Sequence, residues 1–411
     1  MKTIFFPFLA ALFLISSAEA AASQTAKSAR FLKQVLALPK ASLLVEQDHR
    51  SLLALQPDLG RIPASTMKIL TALVALRHWG PEHRFSTRFY RDAKGWLWVR
   101  GGGDPYLISE ELTRIARALK GRGLAEIQGI GLDDSLFSPK LRIPGRGNST
   151  NPYDAPITAL AANFNTVSLI NRKGHMRSAE PQTPLTPIAR ERGKKLGAGK
   201  HRVNLRDRTT ALRYFGELFL AKLREQGIAA KQRIRLGFVP VDAKPLYRHE
   251  NHRDLRAVVQ AMLAYSSNFI ANDLFLLLSD PSGQARGLNT KTAQRRMEAW
   301  FAKELGWRGH RIEDGAGLSR GNRLSARQLV SALQAFAPYL DLLPRQNDQI
   351  RAKTGTLRGV SCYAGFVRRK HRWVPFALLI NQPVAYSLRL RVAEALATLP
   401  NLSAYCPASG C

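Results

Sequence analysis

Apolar residues recur at helical spacing across Ser65–His78, at Ile69, Leu70, Leu73, Val74 and Leu76, and this periodicity predicts an amphipathic helix. Late in the chain the pattern changes. Val360–Arg368 alternates as a strand, Arg368–Arg372 is a basic turn, and Trp373–Ile380 predicts a second strand. Between these regions the chain mixes both kinds of element. Trp96–Val99 and Ile127–Leu132 read as strands flanking a Gly101–Pro105 turn and a helix at Glu110–Lys120. A helix over Arg208–Gln226, a strand near Ile234–Val239, and a helix from about Asp254 to Ser266 follow. From His175 to Arg206 the chain is basic and rich in Pro and Gly, without clear periodicity, which predicts an exposed loop or a reduced subdomain.

The pattern therefore predicts an α/β chain of more than one domain. Residues 1–20 have the makeup of a secretory signal: Lys2 before an apolar Ile4–Ile15 run, then Ala18-Glu19-Ala20 as a cleavage sequence. The apolar run is well short of the ~20 residues that a membrane-spanning helix needs. An exported enzyme, periplasmic or otherwise extracytoplasmic, without a transmembrane anchor is the expectation. The remaining chain is longer than one core usually holds, so two domains are expected. They are a discontinuous one over 21–87 and 254–405, and an insertion over 88–253 whose third subdomain near 168–206 is reduced.

The formal net charge is +32. Export argues against nucleic acid as the partner, and leaves anionic envelope polymers, lipid headgroups or carboxylate-rich peptides, with charge steering the encounter. The basic runs Arg190–Lys195 and Arg368–Arg372 read equally well as solvated loops. Three cysteines are too few for a disulfide scaffold; Cys406 and Cys411 could close a small loop and leave Cys362 as a buried thiol. No His/Cys cluster has metal-ligand spacing, so neither a metal nor another cofactor is expected.

Three short strings carry the chemistry: Ser65-Thr66-Met67-Lys68, Ser266-Ser267-Asn268 and Lys353-Thr354-Gly355. Ser65 is the only serine followed by Lys at i+3, and Lys-Thr-Gly occurs once. Residues i and i+3 share a helix face, so the Lys68 amine can reach the Ser65 hydroxyl. A hydroxyl is a weak nucleophile until a base takes its proton. Lys68 can be that base if desolvation and a neighbouring cation, for which Lys353 is the candidate, lower its affinity for protons.

With these strings the chain resembles the class C low-molecular-mass penicillin-binding proteins, the type-4 D-alanyl-D-alanine carboxypeptidase/endopeptidases. Non-catalytic strings extend the likeness: Gly102-Gly103-Asp104-Pro105, Leu132-Asp133-Asp134-Ser135, Asn163-Phe164-Asn165-Thr166-Val167 and Asp314-Gly315-Ala316-Gly317-Leu318-Ser319-Arg320. The resemblance implies a penicillin-binding protein and serine β-lactamase-like transpeptidase domain, an antiparallel sheet flanked by helices, with a smaller α/β insertion. It implies Ser65 as acylated nucleophile, Lys68 as base, Ser266 as proton shuttle, Asn268 holding a substrate amide and Lys353 as electrostatic support. It also implies Thr354 as the terminal-carboxylate ligand and the backbone N–H groups of Ser65 and Thr356, beside Gly355, as the oxyanion hole. Arg320 and Asp133 match residues near the substrate cleft, and an Asx turn is the competing reading of Asp133.

The implied partners are peptidoglycan stem peptides as substrates and β-lactam antibiotics as inhibitors. The stretch from Val167 to Arg206 is shorter than in longer family members, and Arg358 stands where some carry Gln. Both bear on which stem peptide or crosslink reaches Ser65. A β-lactamase or esterase using the same residues, and a non-catalytic peptidoglycan-binding protein motivated by the charge, are the alternatives.

Overall fold

The computed structural model describes residues 25–172, 174–280 and 285–407. The expected signal segment and Cys411 lie outside the described residues. By spatial contacts the chain divides into two compact units, Met1–Thr66 with Asn322–Cys411, and Met67–Gly321. These boundaries differ from breaks at 87 and 254. The reason is packing: the helix Met67–Trp79 lies against the helices Leu255–Tyr265 and Asn268–Leu277.

The first unit is built on a six-stranded antiparallel sheet. Its spatial order runs Arg345–Asn347, Ile350–Leu357, Val360–Arg369, Arg372–Ile380, Ala41–Gln47, Arg50–Leu55. The two strands expected from alternation, Val360–Arg369 and Arg372–Ile380, are central and pair through nine successive positions from Ser361↔Ile380 to Arg369↔Arg372. Leu43, Val45, Ile350, Val367, Val374, Phe376 and Leu378 fill one core with Val392 and Leu396 of the helix Leu388–Thr398. Several of these strands are buried on both faces, which is why Val374–Ile380 reads as a continuous apolar run.

The second unit contains a five-stranded mixed sheet in the order Ile234–Leu236, Ile130–Asp133, Leu97–Arg100, Ser86–Arg91, Lys244–Glu250. The helices Ser109–Gly121 and Arg208–Glu225 pack together and share its core. The predicted strand Ile127–Leu132 is two strands, Glu126–Ile127 and Ile130–Asp133, broken at Gly129, where a Cβ would meet the Trp96 ring at 2.6 Å.

The stretch from His175 to Arg206 is more ordered than a loop. Thr166–Arg172 forms the centre of a three-stranded antiparallel sheet with His175–Ser178 and Gly199–Asn204, and the short helix Pro187–Gly193 packs beside it. These strands are short and largely exposed, so their side chains carry little apolar alternation.

Candidate active site

Ser65 lies on a 3₁₀ turn, Ala64–Thr66, that precedes the helix Met67–Trp79. The expected helix therefore begins two residues late, and Ala64 carries a left-handed φ of 47°. Within the first unit this turn is pinned to the sheet. The Asn381 side chain accepts from Ile62 N at 2.7 Å and donates to Ile62 O at 3.1 Å. The Cys362 thiol also donates to Ile62 O, at 3.3 Å. Arg61 is buried and donates to Ser42 Oγ, Gln56 Oε1 and the carbonyls of Pro39 and Ala41.

The strand Ile350–Leu357 brings Lys353-Thr354-Gly355 alongside that turn. Gly355 faces it so closely that a Cβ there would sit 2.6 Å from Pro63 O and 3.1 Å from Ser65 N. Side chains alternate along a strand, so Lys353 projects from the same face as Gly355. Its Nζ is buried and donates to Thr354 O at 3.0 Å. Burial, reinforced by the nearby Arg389 guanidinium, pulls the Lys353 ammonium from 10.5 down to about 8. Thr354 is half-buried and Thr356 is exposed.

Arg389 is a participant that no sequence signal marked. It is buried on the helix Leu388–Thr398 and donates to Gly355 O at 3.2 Å and Thr356 Oγ1 at 2.7 Å. A single Arg on an amphipathic helix resembles any snorkelling side chain until the fold puts it under the strand.

The second unit assembles around Lys68, which is fully buried. Its Nζ donates to Asn268 Oδ1 and to Ala316 O, both at 2.9 Å. Asn268 begins the helix Asn268–Leu277 and donates through Nδ2 to Tyr153 O at 3.2 Å, leaving a second amide hydrogen for another acceptor. The Ala316 carbonyl is held by a loop wound on one carboxylate: Asp314 accepts from Ala316 N, Leu318 N and Ser319 N at 3.0–3.1 Å. Thr71 Oγ1 donates to Gly315 O at 2.7 Å, fastening that loop to the Lys68 helix. Gly315 is required because a Cβ would approach Ala271 O and Phe275 Cβ to 2.5 Å. The Asp314–Arg320 string thus supports the Lys68 side chain.

Ser266 is half-exposed and left-handed, with φ 53° and ψ 38°, at the junction of two helices. Such a conformation costs a non-glycine residue energy and persists where its surroundings over-determine it. Here the Ser267 hydroxyl caps the next helix by accepting from Ile270 N. Arg320 is exposed on the surface.

Asp133 ends the strand Ile130–Asp133. It is fully buried, and its two carboxylate oxygens accept from Ser135 N and Val239 N at 3.0 Å. Those bonds are an Asx turn plus a tie to the chain just after the strand Ile234–Leu236, a use for a short acidic side chain at a strand end. Its neighbour Asp134 is also buried, paired with Arg208 at 2.6 Å, and burial pushes its carboxyl up to about 7.

Cys362 is a free, buried thiol pushed up to about 12 by burial, and Cys406 is disulfide-bonded. Among the described residues, no group of His, Cys, Asp and Glu has the arrangement of a metal site, and no helix is long and apolar enough to cross a membrane.

The sequence profile of the D-Ala-D-Ala carboxypeptidase 3 (S13) family matches residues 46–190 and 196–344. A D-alanyl-D-alanine carboxypeptidase of Actinomadura sp. (strain R39) is 24% identical over 403 residues, covering 78% of this chain and 73% of that protein. The D-alanyl-D-alanine carboxypeptidase DacB of Haemophilus influenzae is 24% identical over 392 residues, covering 78% and 80%. Among solved structures, penicillin binding protein 4 from Haemophilus influenzae superposes with a TM-score of 0.71 at 20% identity, over 92% of this chain and 98% of that one. The fold is therefore that of the penicillin-binding peptidases.

Proposed function

Since the chain belongs to the D-Ala-D-Ala carboxypeptidase 3 (S13) family, we propose that it cleaves the D-Ala-D-Ala bond of peptidoglycan stem peptides through an acyl-enzyme on Ser65. It is a serine-type hydrolase. Lys68 takes the Ser65 proton as Oγ attacks the penultimate D-alanine carbonyl. The oxyanion is met by the backbone N–H groups of Ser65 and Thr356, a contribution of about 3 kcal/mol per donor. The C–N bond then breaks, and Ser266 relays the proton held by Lys68 to the departing amine, leaving Lys68 neutral again. Water releases the acyl group and restores Ser65.

Asn268 aligns the substrate amide with its remaining Nδ2 hydrogen, Thr354 receives the terminal carboxylate and Lys353 supports the site electrostatically. The observation that carries this reading is the buried Lys68 amine, held by Asn268 Oδ1 and Ala316 O three residues along the chain from Ser65. A lysine side chain is costly to bury, and acid–base work is a reason to keep one there.

Penicillins are expected to acylate the same serine. A solved relative, penicillin binding protein 4 from Haemophilus influenzae, is recorded in complex with a β-lactam. The basic N-terminal Lys2, the apolar run to Ile15 and Ala18-Glu19-Ala20 support export to the cell envelope. The charge of +32 supports attraction to anionic envelope polymers.

The test is intact-mass analysis of the mature protein with and without benzylpenicillin, repeated with Ser65→Ala. One penicilloyl adduct that disappears in the variant is expected. A folded protein that forms no adduct and turns over no chromogenic cephalosporin refutes the proposal. Rapid, sustained cephalosporin turnover instead assigns a β-lactamase.

A further inference from the structure

Three arginines stand in line across the five-stranded sheet of the second unit. The strands Lys244–Glu250 and Ser86–Arg91 pair Arg248 with Arg88, and Ser86–Arg91 and Leu97–Arg100 pair Arg88 with Arg100. Residues directly opposite on adjacent antiparallel strands hold their Cβ atoms about 5 Å apart, and like charges there repel. The chain neighbours Phe89, Val99 and His249 are buried, so alternation turns all three arginines to the other face. Arg248 pairs with Glu250 at 3.3 Å, but both side chains are more than half exposed, where such a pair contributes little. Among the described residues, the guanidinium groups of Arg88 and Arg100 have no ion-pair or hydrogen-bond partner.

The row lines a cavity of about 240 Å³. Arg84 lines it too but is tied down, donating through one nitrogen to the carbonyls of Asn251 and His252. Rings form another part of the lining: His83 stacks on Trp79 with centroids 5.5 Å apart and packs edge-to-face with Phe85 at 4.9 Å. Asp280 is the one carboxylate in the lining. Gly102 also borders the cavity, and it must be glycine because a Cβ would meet Ser86 O at 2.0 Å. Its N–H has no acceptor among the described residues. The Gly102-Gly103-Asp104-Pro105 string, to which acyl transfer gives no role, thus sets a backbone donor beside the strand that carries Arg88.

We infer that this cavity is a binding site for a phosphate monoester, held by Arg88 and Arg100 and flanked by Arg248. Four guanidinium groups against one carboxylate give the cavity a field that draws anions. A carboxylate would answer only one of those charges. A phosphate monoester brings about 1.5–2 negative charges and three acceptor oxygens, enough to bridge neighbouring guanidinium forks and relieve the repulsion along the row. The volume is below the ~300 Å³ at which drug-sized sites begin, so the phosphate enters with little else, and Trp79, Phe85 and Leu136 offer apolar surface to the atoms that follow it. The site is apart from the reacting groups. Trp79 and Leu277, both in its lining, end the helices Met67–Trp79 and Asn268–Leu277 whose first turns carry Lys68 and Asn268, about 15 Å away at ~1.5 Å per residue. Phosphate binding here therefore stands or falls separately from acyl transfer at Ser65.

The test titrates the full mature protein calorimetrically with glycerol 3-phosphate at about 0.15 M salt, where exposed charges more than ~8 Å apart are largely screened. Co-sedimentation with phosphatidylcholine vesicles containing phosphatidic acid presents the same group on a lipid. Arg88→Gln/Arg100→Gln is expected to weaken binding at least about tenfold. Lys195→Gln/Lys200→Gln removes the same charge from exposed positions and should bind like the parent. Binding of the soluble ester alone that depends on the arginine row assigns a soluble ligand, and row-dependent binding of the vesicles assigns a lipid headgroup; either upholds the site. Arg88→Gln alone carries the test should the double variant fail to fold: it relieves repulsion and should melt no lower than the parent, and glycerol 3-phosphate should raise the melting temperature of the parent but not of this variant. No saturable binding of either probe, an equal loss in the lysine variant, or equal thermal shifts in the parent and Arg88→Gln overturns the proposal.

Discussion

Lys353 offers the sharpest test of how this site handles charge. Burial first, and the Arg389 cation second, bring its ammonium from 10.5 to about 8, which corresponds to about 3 kcal/mol of destabilisation of the charged form. If the ammonium is the form that attracts the substrate carboxylate, acylation should lose about tenfold per pH unit above 8. The assay is the second-order rate of acylation by a fluorescent penicillin from pH 6 to 10, corrected for uncatalysed hydrolysis. Stability should move the opposite way. The folded state sheds this proton near pH 8 while the unfolded chain holds it to 10.5, so the unfolded state binds more protons in that window and this group's contribution to stability rises with pH. Falling activity without loss of thermal stability therefore separates titration from unfolding. Lys353→Arg keeps a cation across the range and should remove the alkaline limb, whatever its plateau rate. Arg389→Met removes the second cause and should move the limb upward. The same limb near pH 8 in Lys353→Arg refutes the assignment.

Four further outcomes follow from the buried groups and close contacts. Asp273 is buried with no hydrogen-bond partner for either oxygen among the described residues, and burial raises its carboxyl well above 3.8, while Asp104 is pushed up to about 6 by burial. Such groups stabilise the fold below the unfolded value and lose that contribution as pH rises through the folded one, so Asp273→Asn should raise the melting temperature more at pH 7.5 than at pH 5, and equal shifts count against it. Glu111 has the opposite sign. Although burial pushes it upward, hydrogen bonds from His249 and His252 hold it at about 2, so Glu111→Gln should cost stability above pH 4.5 and cost progressively less toward pH 2, as read by denaturant titration. Gly355→Ala, whose Cβ meets Pro63 O at 2.6 Å, should lose about 1–3 kcal/mol and slow acylation at least about tenfold, whereas Gly121→Ala, with nothing within 4 Å, should do neither. Asp133→Ala should lower stability by about 1–3 kcal/mol with little change in penicillin acylation; full stability with impaired stem-peptide turnover places Asp133 in the substrate cleft instead.

What was legible in the chain was local. The strand Arg372–Ile380 announces itself because it is apolar and buried, and Ser65-Thr66-Met67-Lys68 because its chemistry depends on a spacing of three. The helix Leu255–Tyr265 starts where expected because Asp254 caps it, accepting from Ala257 N at 2.9 Å. The strands Ser86–Arg91 and Lys244–Glu250 pair across more than 150 residues of sequence, and the three-stranded sheet centred on Thr166–Arg172 uses partly exposed, basic strands. Their stability comes from partners rather than from their own pattern, so periodicity is blind to them.

The same distinction runs through the site. A reactive hydroxyl or amine has to be a particular residue type, and so it shows in the sequence; the groups that tune it need only be the right charge or carbonyl in the right place. Arg389 perturbs Lys353 from a helix begun 35 residues later, and Ala316 holds Lys68 with a backbone oxygen that any residue could supply. What identifies residue 316 is its frame: Asp314 gathering three N–H groups, and Gly315 fitting where no Cβ can. A string that looks non-catalytic can thus be demanded by the catalytic amine, and its substitution should be felt first in the proton transfer at Lys68, before the fold is lost. Asp314→Asn, which keeps the shape but weakens the acceptor, is the variant that would expose this: slower acylation with a near-native melting curve is expected, and an unchanged acylation rate breaks the link between the loop and Lys68.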